Sequence, residues 1–538
     1  MRFQRTAALA TSAMLWLLLG PVVLLLAVLL LVVPRVGPRV RAWLRPTWRV
    51  VAGWAAAVVV LVGVVVVVPD GWLPVPPGSG ALVTPSYVGR PARAQPIDLG
   101  FPQHPAMAPN GKSSMHHDGA ASDAYAWAGP LGESPEVDTA WYGLEECATL
   151  AFDSHDRLVA LCGTRSGPLL RVIDPETLRP LATKDLPDRR DTGTRVWEDL
   201  CGGSYFYLDD RDRAVLATTD RRVLVVATSD ADGDADLTTE EAYDLSALVP
   251  EDDCVIALMP DWAGRVWFVT RDGRVGAFEP GGDEAGGYVL ELGEDIANSL
   301  AVDRHGVYVV TTHALYRLVA GRDGRPRVDW RTAYDRGEER KPGQLTQGSG
   351  TTPTLLPGGL VAITDNAEPR MHVAFHDAGD GALVCRAAVF DDDASATENS
   401  LVPVGDGGVV VENNHGYAGP WSTLLGRATT GGFARVDVDR AAGECTVAWT
   451  STEVAPTSVA KVSLATGLVY AYTKRSSWWG VDAWYLTAID ARTGKRVWAV
   501  RTGLGPLMNN HYAAVTIGAD ASVYVATPAG LVRVRDRD

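Results

Sequence analysis

Two segments of this chain repeat the tripeptide Asn-Asn-His: Glu412-Asn413-Asn414-His415-Gly416-Tyr417 and Met508-Asn509-Asn510-His511-Tyr512. Acid, amide and imidazole groups that converge can coordinate a hard cation or hydrogen-bond a polar ligand such as a sugar or a peptide. By the positional argument below, Asn298, His313, Asp365, Asn366, Glu398 and Asn399 join the same set, and Glu398, Asn399 and Glu412 are its candidates for holding a calcium ion. Turn formation competes for all of these residues, because Asn and Asp side chains bond nearby backbone at strand ends. Neither segment contains a Ser, Cys or Asp whose spacing marks a nucleophile, and a triad assembled in space leaves no trace in sequence. Met115-His116-His117-Asp118 either folds over a face of the domain that follows or belongs to a linker, and linker is the expectation. Trp478-Trp479, after Lys474-Arg475, can stack on a carbohydrate, touch a membrane, or pack against a neighbouring element.

The elements that must position these groups are strands. After residue 145 one pattern recurs: a small or polar residue, an apolar strand, a Gly/Asp turn, and a second apolar strand. It is clearest from Asn298-Ser299-Leu300-Ala301-Val302-Asp303 through Gly306 to Val307-Tyr308-Val309-Val310-Thr311. Other copies begin near Cys147, Gly203, Cys254, Thr352, Asn399, Ser458 and His511, with spacings from 44 (Cys254 to Asn298) to 59 residues (Asn399 to Ser458). That range suits four-stranded propeller blades rather than helical solenoids. The reading is an all-β, eight-bladed β-propeller over residues 135–538, with seven blades as the alternative count.

In such a blade the start of the first strand and the end of the second lie on one face, and this face collects the residues named above. The last copy ends after Val532-Arg533-Val534 with three strands, which leaves an open edge prone to aggregation. Glu136-Val137-Asp138-Thr139-Ala140-Trp141-Tyr142 stands where an outer strand precedes every other blade, and is expected to close the ring.

The segment Ala488-Ile489-Asp490-Ala491-Arg492-Thr493-Gly494-Lys495-Arg496-Val497-Trp498 resembles the tryptophan repeat of the pyrroloquinoline-quinone-type propellers, with fainter echoes at Asp174-Pro175-Glu176-Thr177 and at Asp437, Gly443 and Trp449. The resemblance implies the fold across residues 135–538. Quinone-dependent alcohol dehydrogenases of that superfamily also carry adjacent cysteines, a calcium site and a catalytic Asp; no two cysteines are adjacent here. Asp261-Trp262-Ala263-Gly264-Arg265-Val266-Trp267-Phe268 and Asn298-Ser299-Leu300-Ala301 are similar to hairpins of six-bladed gluconolactonase-type propellers, which hold a divalent cation with Glu, Asn and Asp. A metal-dependent lactonase or hydrolase, or a quinone-type oxidoreductase, is therefore the alternative to a binding or scaffolding module for a polar ligand or protein partner.

Seven of the 49 basic residues and none of the 65 acidic ones fall in the first 69 positions, so the remainder carries a net charge of −23. Such a surface repels phosphate backbones, which sets nucleic acid aside, and it repels anionic lipid headgroups as well. Residues 7–33 and 50–68 are free of charge and long enough to cross a bilayer core, so they are read as two transmembrane helices. The loop between them holds Arg35, Arg39, Arg41, Arg45 and Arg49, against Arg2 and Arg5 before them. It should stay cytoplasmic and leave the propeller outside a multi-pass anchor in the cell membrane. Residues 70–134, Pro- and Gly-rich at their start, read as a linker. An oxidising compartment then pairs the six cysteines. Cys147 and Cys162 fall opposite each other across a turn centred between Ser154 and His155, while Cys201 with Cys254 and Cys385 with Cys445 are each about one blade apart.

Overall fold

The computed structural model describes residues 2–44, 47–190, 195, 199–202, 205–281, 286–405 and 407–537; Arg45 and Gly203 lie outside them. Among the described residues eight antiparallel sheets follow one another in chain order as the blades of a propeller. Blade 1 comprises Glu146–Phe152, Leu158–Gly163, Pro168–Ile173 and Pro180–Asp185. Its strand Leu158–Gly163 is buried at every position but the last, whereas the outermost strand alternates between half-buried and exposed residues. The cause is packing: inner strands meet neighbouring blades on both faces and so read as unbroken apolar runs, while the outer strand has one wet face.

Blade 8 closes as expected. Val515–Ile517, Val523–Thr527 and Gly530–Asp536 are joined on the outside by Pro135–Trp141, with Val137 opposite Val534 and Ala140 opposite Leu531. Arg533 adds an ion pair to Asp138 at 2.7 Å, and the Asp536 carboxylate accepts bonds from the Leu131 and Gly132 N–H groups at 2.7 and 2.9 Å. Both chain-distant ends are thereby locked into one blade.

All three disulfides form as the sequence suggested. A β-bulge beside Cys147 modifies the register. Thr149 pairs with Leu161 and Phe152 with Leu158, but Glu146 pairs with Gly163, so the count from the turn holds only beyond the bulge. In the tryptophan-repeat turn of blade 7, the Asp490 carboxylate accepts from the Arg492 and Thr493 N–H groups, and Gly494 takes a left-handed φ of 67°. Trp498 on the outer strand is fully buried.

Residues 70–134 do not behave as a free linker. Tyr87–Gly89 adds an outer strand to blade 7 against Trp498–Val500, and Ala124–Tyr125 adds an inner one, parallel to Val462–Ser463. The stretch between them runs beneath the propeller and enters its centre.

The two-helix anchor is not confirmed. The first apolar stretch divides at Gly20-Pro21 into α1 (Arg2–Leu19) and α2 (Val22–Val32), and α2 then bends by 105° into α3 (Gly37–Leu44). Pro21 breaks the helical hydrogen-bond ladder. Gly20 takes a φ of 87°, and a Cβ there would meet a Val481 methyl carbon at 2.5 Å. At about 1.5 Å per residue, eleven residues of α2 fall well short of an apolar core about 30 Å thick. One helix, α4 (Trp48–Val67), is long and apolar enough to cross a membrane by itself. A multi-pass arrangement is not supported.

Candidate functional site

The central channel of the propeller is closed from one end by residues 104–125. These residues supply what the innermost strands lack, since each such strand offers the channel a free edge. Lys112 O accepts from the Phe152 N–H of blade 1, Ser113 O from Leu208 of blade 2, Gly119 O from Val302 of blade 4, Ala120 O from Leu355 of blade 5 and Asp123 O from Val462 of blade 7. Five blades thus hold one strap. Its turns place His117, Ala121 and Asp123 at φ of 57°, 52° and 54°, a region that side chains with a Cβ rarely occupy, and the surrounding bonds enforce it.

Above the strap is a funnel of about 590 Å³. Its floor is formed by Met115 and His116, its walls include Glu146, Thr149, Tyr205, Asn298, Glu398, Asn399, His511 and Tyr512, and Leu144 and Pro420 stand among its apolar lining. Beneath the floor lies a buried ionic cluster. His116 Nδ1 bonds Asp123 Oδ1 at 3.0 Å, Lys461 Nζ pairs with the same carboxylate and donates to Met115 O, and His116 Nε2 lies 3.4 Å from Thr352 Oγ1. Burial opposes the Asp123 charge, but Lys461 and His116 together hold its carboxyl below the usual carboxylate range. Burial also draws the Lys461 ammonium down. The charged pair is the state the contact supports, with Asp123 Oδ1 shared between Lys461 Nζ and His116 Nδ1.

The wall carboxyls behave oppositely. Burial pushes Glu398 up to about 8 against the weaker pull of the Leu345 N–H and Arg340, and it likewise raises Glu146, and Glu412 behind the wall, well above the ordinary range. The walls are rich in hydrogen-bonding donors and acceptors, and Arg165, Arg189 and Asp199 also line the funnel. Glu146 Oε1 has no hydrogen-bond partner among the described residues.

A raised carboxyl binds its proton more tightly in the folded chain. Glu398 therefore contributes stability that is fully present below its ordinary value of 4.5 and is lost as pH rises through about 8. In Glu398→Gln the decline in denaturant midpoint across this interval should be shallower than in the native chain. Because Glu398 is only half-buried, the change is modest. An unaltered slope would place its carboxyl in the ordinary range.

Of the residues singled out from sequence, Asn298, Glu398, Asn399 and His511 line the funnel together. Glu412 lies behind them, accepting from Asn414 Nδ2 at 2.7 Å. The rest serve loops. Asn413 and Asn509 each accept, through Oδ1, the N–H of the His two residues on, both at 3.0 Å, which is one turn used twice. Asn414 and Asn510 bind adjoining segments through Pro456 O and Thr457 Oγ1 respectively. His415 reaches Thr430, Asp365 pairs with His372, Asn366 donates to the Arg336 and Glu339 carbonyls, and His313 meets Arg336.

Calcium takes about six to eight oxygen ligands. Among the described residues no group of three or more His, Cys, Asp or Glu side chains could hold a metal ion. Glu398 accepts the Leu345 N–H and Glu412 Oε1 the Asn414 amide, whereas Glu412 Oε2 and Asn399 Oδ1 have no hydrogen-bond partner among the described residues.

The floor residues Asp123 and Lys461, and the wall residues Glu146, Tyr205 and Tyr512, were missed in the sequence reading. Lys461 left one signal: a charged residue at the head of an innermost strand, where blades 3 and 4 are apolar.

The fold and funnel define the class, an eight-bladed propeller with a strapped central channel. No family model matches the chain. A protein of Archaeoglobus fulgidus, itself uncharacterized, is 28% identical over 319 residues, covering 53% of this chain and 61% of that relative. The chain thus spans less than two thirds of the relative's length. Among solved structures, a europium-containing methanol dehydrogenase is similar with a TM-score of 0.44 and 11% identity, over 77% of this chain and 88% of that one. A streptogramin B lyase is similar with a TM-score of 0.39 and 8% identity, over 75% of this chain and 98% of that one. The likeness extends to the propeller fold alone.

Proposed function

We propose that this chain is a membrane-anchored, extracytoplasmic propeller, of the pyrroloquinoline-quinone-like superfamily in architecture, that binds an uncharged polar ligand in its funnel. The observation that carries the reading is the blind funnel, sealed by residues 104–125 and walled by polar hydrogen-bonding groups such as Asn298, Asn399, Tyr205 and Tyr512. Such walls suit a sugar or a short peptide, whose hydroxyl and amide groups exchange hydrogen bonds without a counter-charge. The anchor side of the reading rests on α4, on the Arg-rich segment before it, and on three disulfides, which need an oxidising compartment.

Thermal unfolding of the full chain with glucose, maltose, N-acetylglucosamine and diglycine tests the binding. At about 100 times its Kd a ligand adds about 2.7 kcal/mol, enough to raise Tm measurably. At least one member of the panel should do so, and Ala148→Phe, which places a ring in the funnel, should abolish the effect. No response to any of them, or an equal response in Ala148→Phe, would overturn the proposal.

A second reading, acid–base catalysis on the bound molecule, is favoured by the Asp123–His116 pair, because a carboxylate on one imidazole nitrogen orients the other for proton transfer. Recovery of the stabilising compound in altered form separates catalysis from binding.

A further inference from the structure

We infer that the funnel rim at blades 6 and 7 rests in the lipid interface, so that the mouth of the cavity opens against the bilayer that anchors the chain. The inference rests on the anchored reading above. It starts from two loops on the funnel face, those following strands Gly408–Glu412 and Leu468–Arg475. They expose Trp421 by 65%, Leu425 by 65%, Trp478 by 83% and Trp479 by 37%.

These side chains stand on a stiff platform. Ser477 donates its N–H to Gly426 O at 2.8 Å, and the Asp482 carboxylate accepts from the Leu425 and Gly426 N–H groups at 3.2 and 2.8 Å. Lys474 Nζ closes the set, 3.0 Å from Asp482 and bonded to Arg427 O. Large apolar groups held out into water by a buried ion pair and four hydrogen bonds are not loop disorder, and they require a cover.

The position of the anchor says what the cover is. Gly80 and Leu82 donate their N–H groups to Leu17 O and Leu18 O of α1, at 2.8 and 2.9 Å. The Val481 side chain fills the space beside Gly20 and Gly80, and a Cβ on Gly480 would lie 3.6 Å from Pro21. The α1–α2 joint is therefore seated on the loop that carries Trp478 and Trp479. From that joint α2 departs with no buried residue. An apolar helix exposed throughout residues 24–30 belongs in lipid, and tryptophans at its foot lie at the depth where indole rings settle, between headgroups and acyl chains. The net charge of −23 beyond residue 69 repels anionic lipid, so the contact relies on aromatic insertion rather than on charge. Pro420 lines the funnel and its neighbour Trp421 lies on the rim, so mouth and membrane contact are continuous.

All six cysteines are in disulfides, so an introduced cysteine is the sole thiol for a nitroxide label. Full-length chain in phosphatidylcholine nanodiscs containing a nickel-chelating lipid would be labelled at Ser476→Cys on the rim, at Arg492→Cys on the opposite end of blade 7, and at Val62→Cys in α4. The rim label should be relaxed by lipid-bound nickel several times more strongly than the label at position 492, and the α4 label should respond to lipid-dissolved oxygen. Equal relaxation at 476 and 492 with a lipid-embedded α4 would overturn the docking while leaving the anchor intact. A rim label shielded from both lipid-bound and soluble nickel would show a protein covering the rim and would also overturn it. A water-exposed label at position 62 would remove the anchor itself.

Discussion

Lys461→Met is expected to destabilise the propeller by about 3–5 kcal/mol, read as a fall in denaturant midpoint at constant slope. The substitution keeps the volume of the stem but strands the Asp123 carboxylate, which is fully buried and has His116 as its remaining hydrogen-bonding partner. It also deprives Met115 O of its donor at the floor of the funnel. The double variant Lys461→Met/Asp123→Asn should recover most of the loss, since an uncharged amide needs no counter-ion there and can still meet His116. Recovery distinguishes an unpaired charge from a mere packing defect, which the second change would leave unrepaired. The native pair should also sharpen acid denaturation. The Asp123 carboxyl is held below its ordinary range, so its contribution is complete above that range and disappears as pH falls through the lowered value. A native-like midpoint in Lys461→Met would show that the pair is not charged in the folded chain.

Removing the Cys385–Cys445 disulfide by Ser substitution should cost about 4 kcal/mol, against about 3 for Cys147–Cys162, because the chain-entropy term grows with the loop closed. The loops span 60 and 15 residues. Geometry strengthens the contrast. Cys385 lies on the outer strand Leu383–Ala388 of blade 5 and Cys445 on the outer strand Glu444–Ser451 of blade 6, so this bond pins two wedges together at the rim. Cys147 and Cys162 only staple neighbouring strands already paired within blade 1. Equilibrium unfolding of the two double-Ser variants gives the comparison, and a larger cost for the short loop would refute the ordering. Non-reducing peptide mapping of protein from intact membranes should return the three pairs; free thiols there would remove the argument for an oxidising compartment.

The blades were legible because their signal is local and repeated. Each inner strand is apolar, each turn needs Gly or Asp, and both requirements recur at a near-constant spacing, as at Val307–Val310 and Val409–Val411. Closure by residues 135–141 followed by counting strands, since a propeller cannot leave one blade short without exposing an edge. The disulfides followed from the same count. Most of the candidate residues lie away from the funnel lining, for a related reason. Asn-Asn-His has the same composition whether it binds a ligand or builds a turn, and only the partners of Asn413 and Asn509 reveal the turn.

By itself, then, the sequence determined the eight blades, the ring closure, the cysteine pairs and an apolar segment able to cross a membrane. Each depends on patterning that any stretch of chain displays without its neighbours. The tertiary structure alone decided that residues 104–125 enter the channel, that Lys461 meets Asp123 across 338 residues, and that Gly20-Pro21 divides an apolar run against Val481. These features have no period. The strap adopts left-handed turns at His117, Ala121 and Asp123 because five inner strands supply the bonds that enforce them, and that balance exists only once the ring has closed.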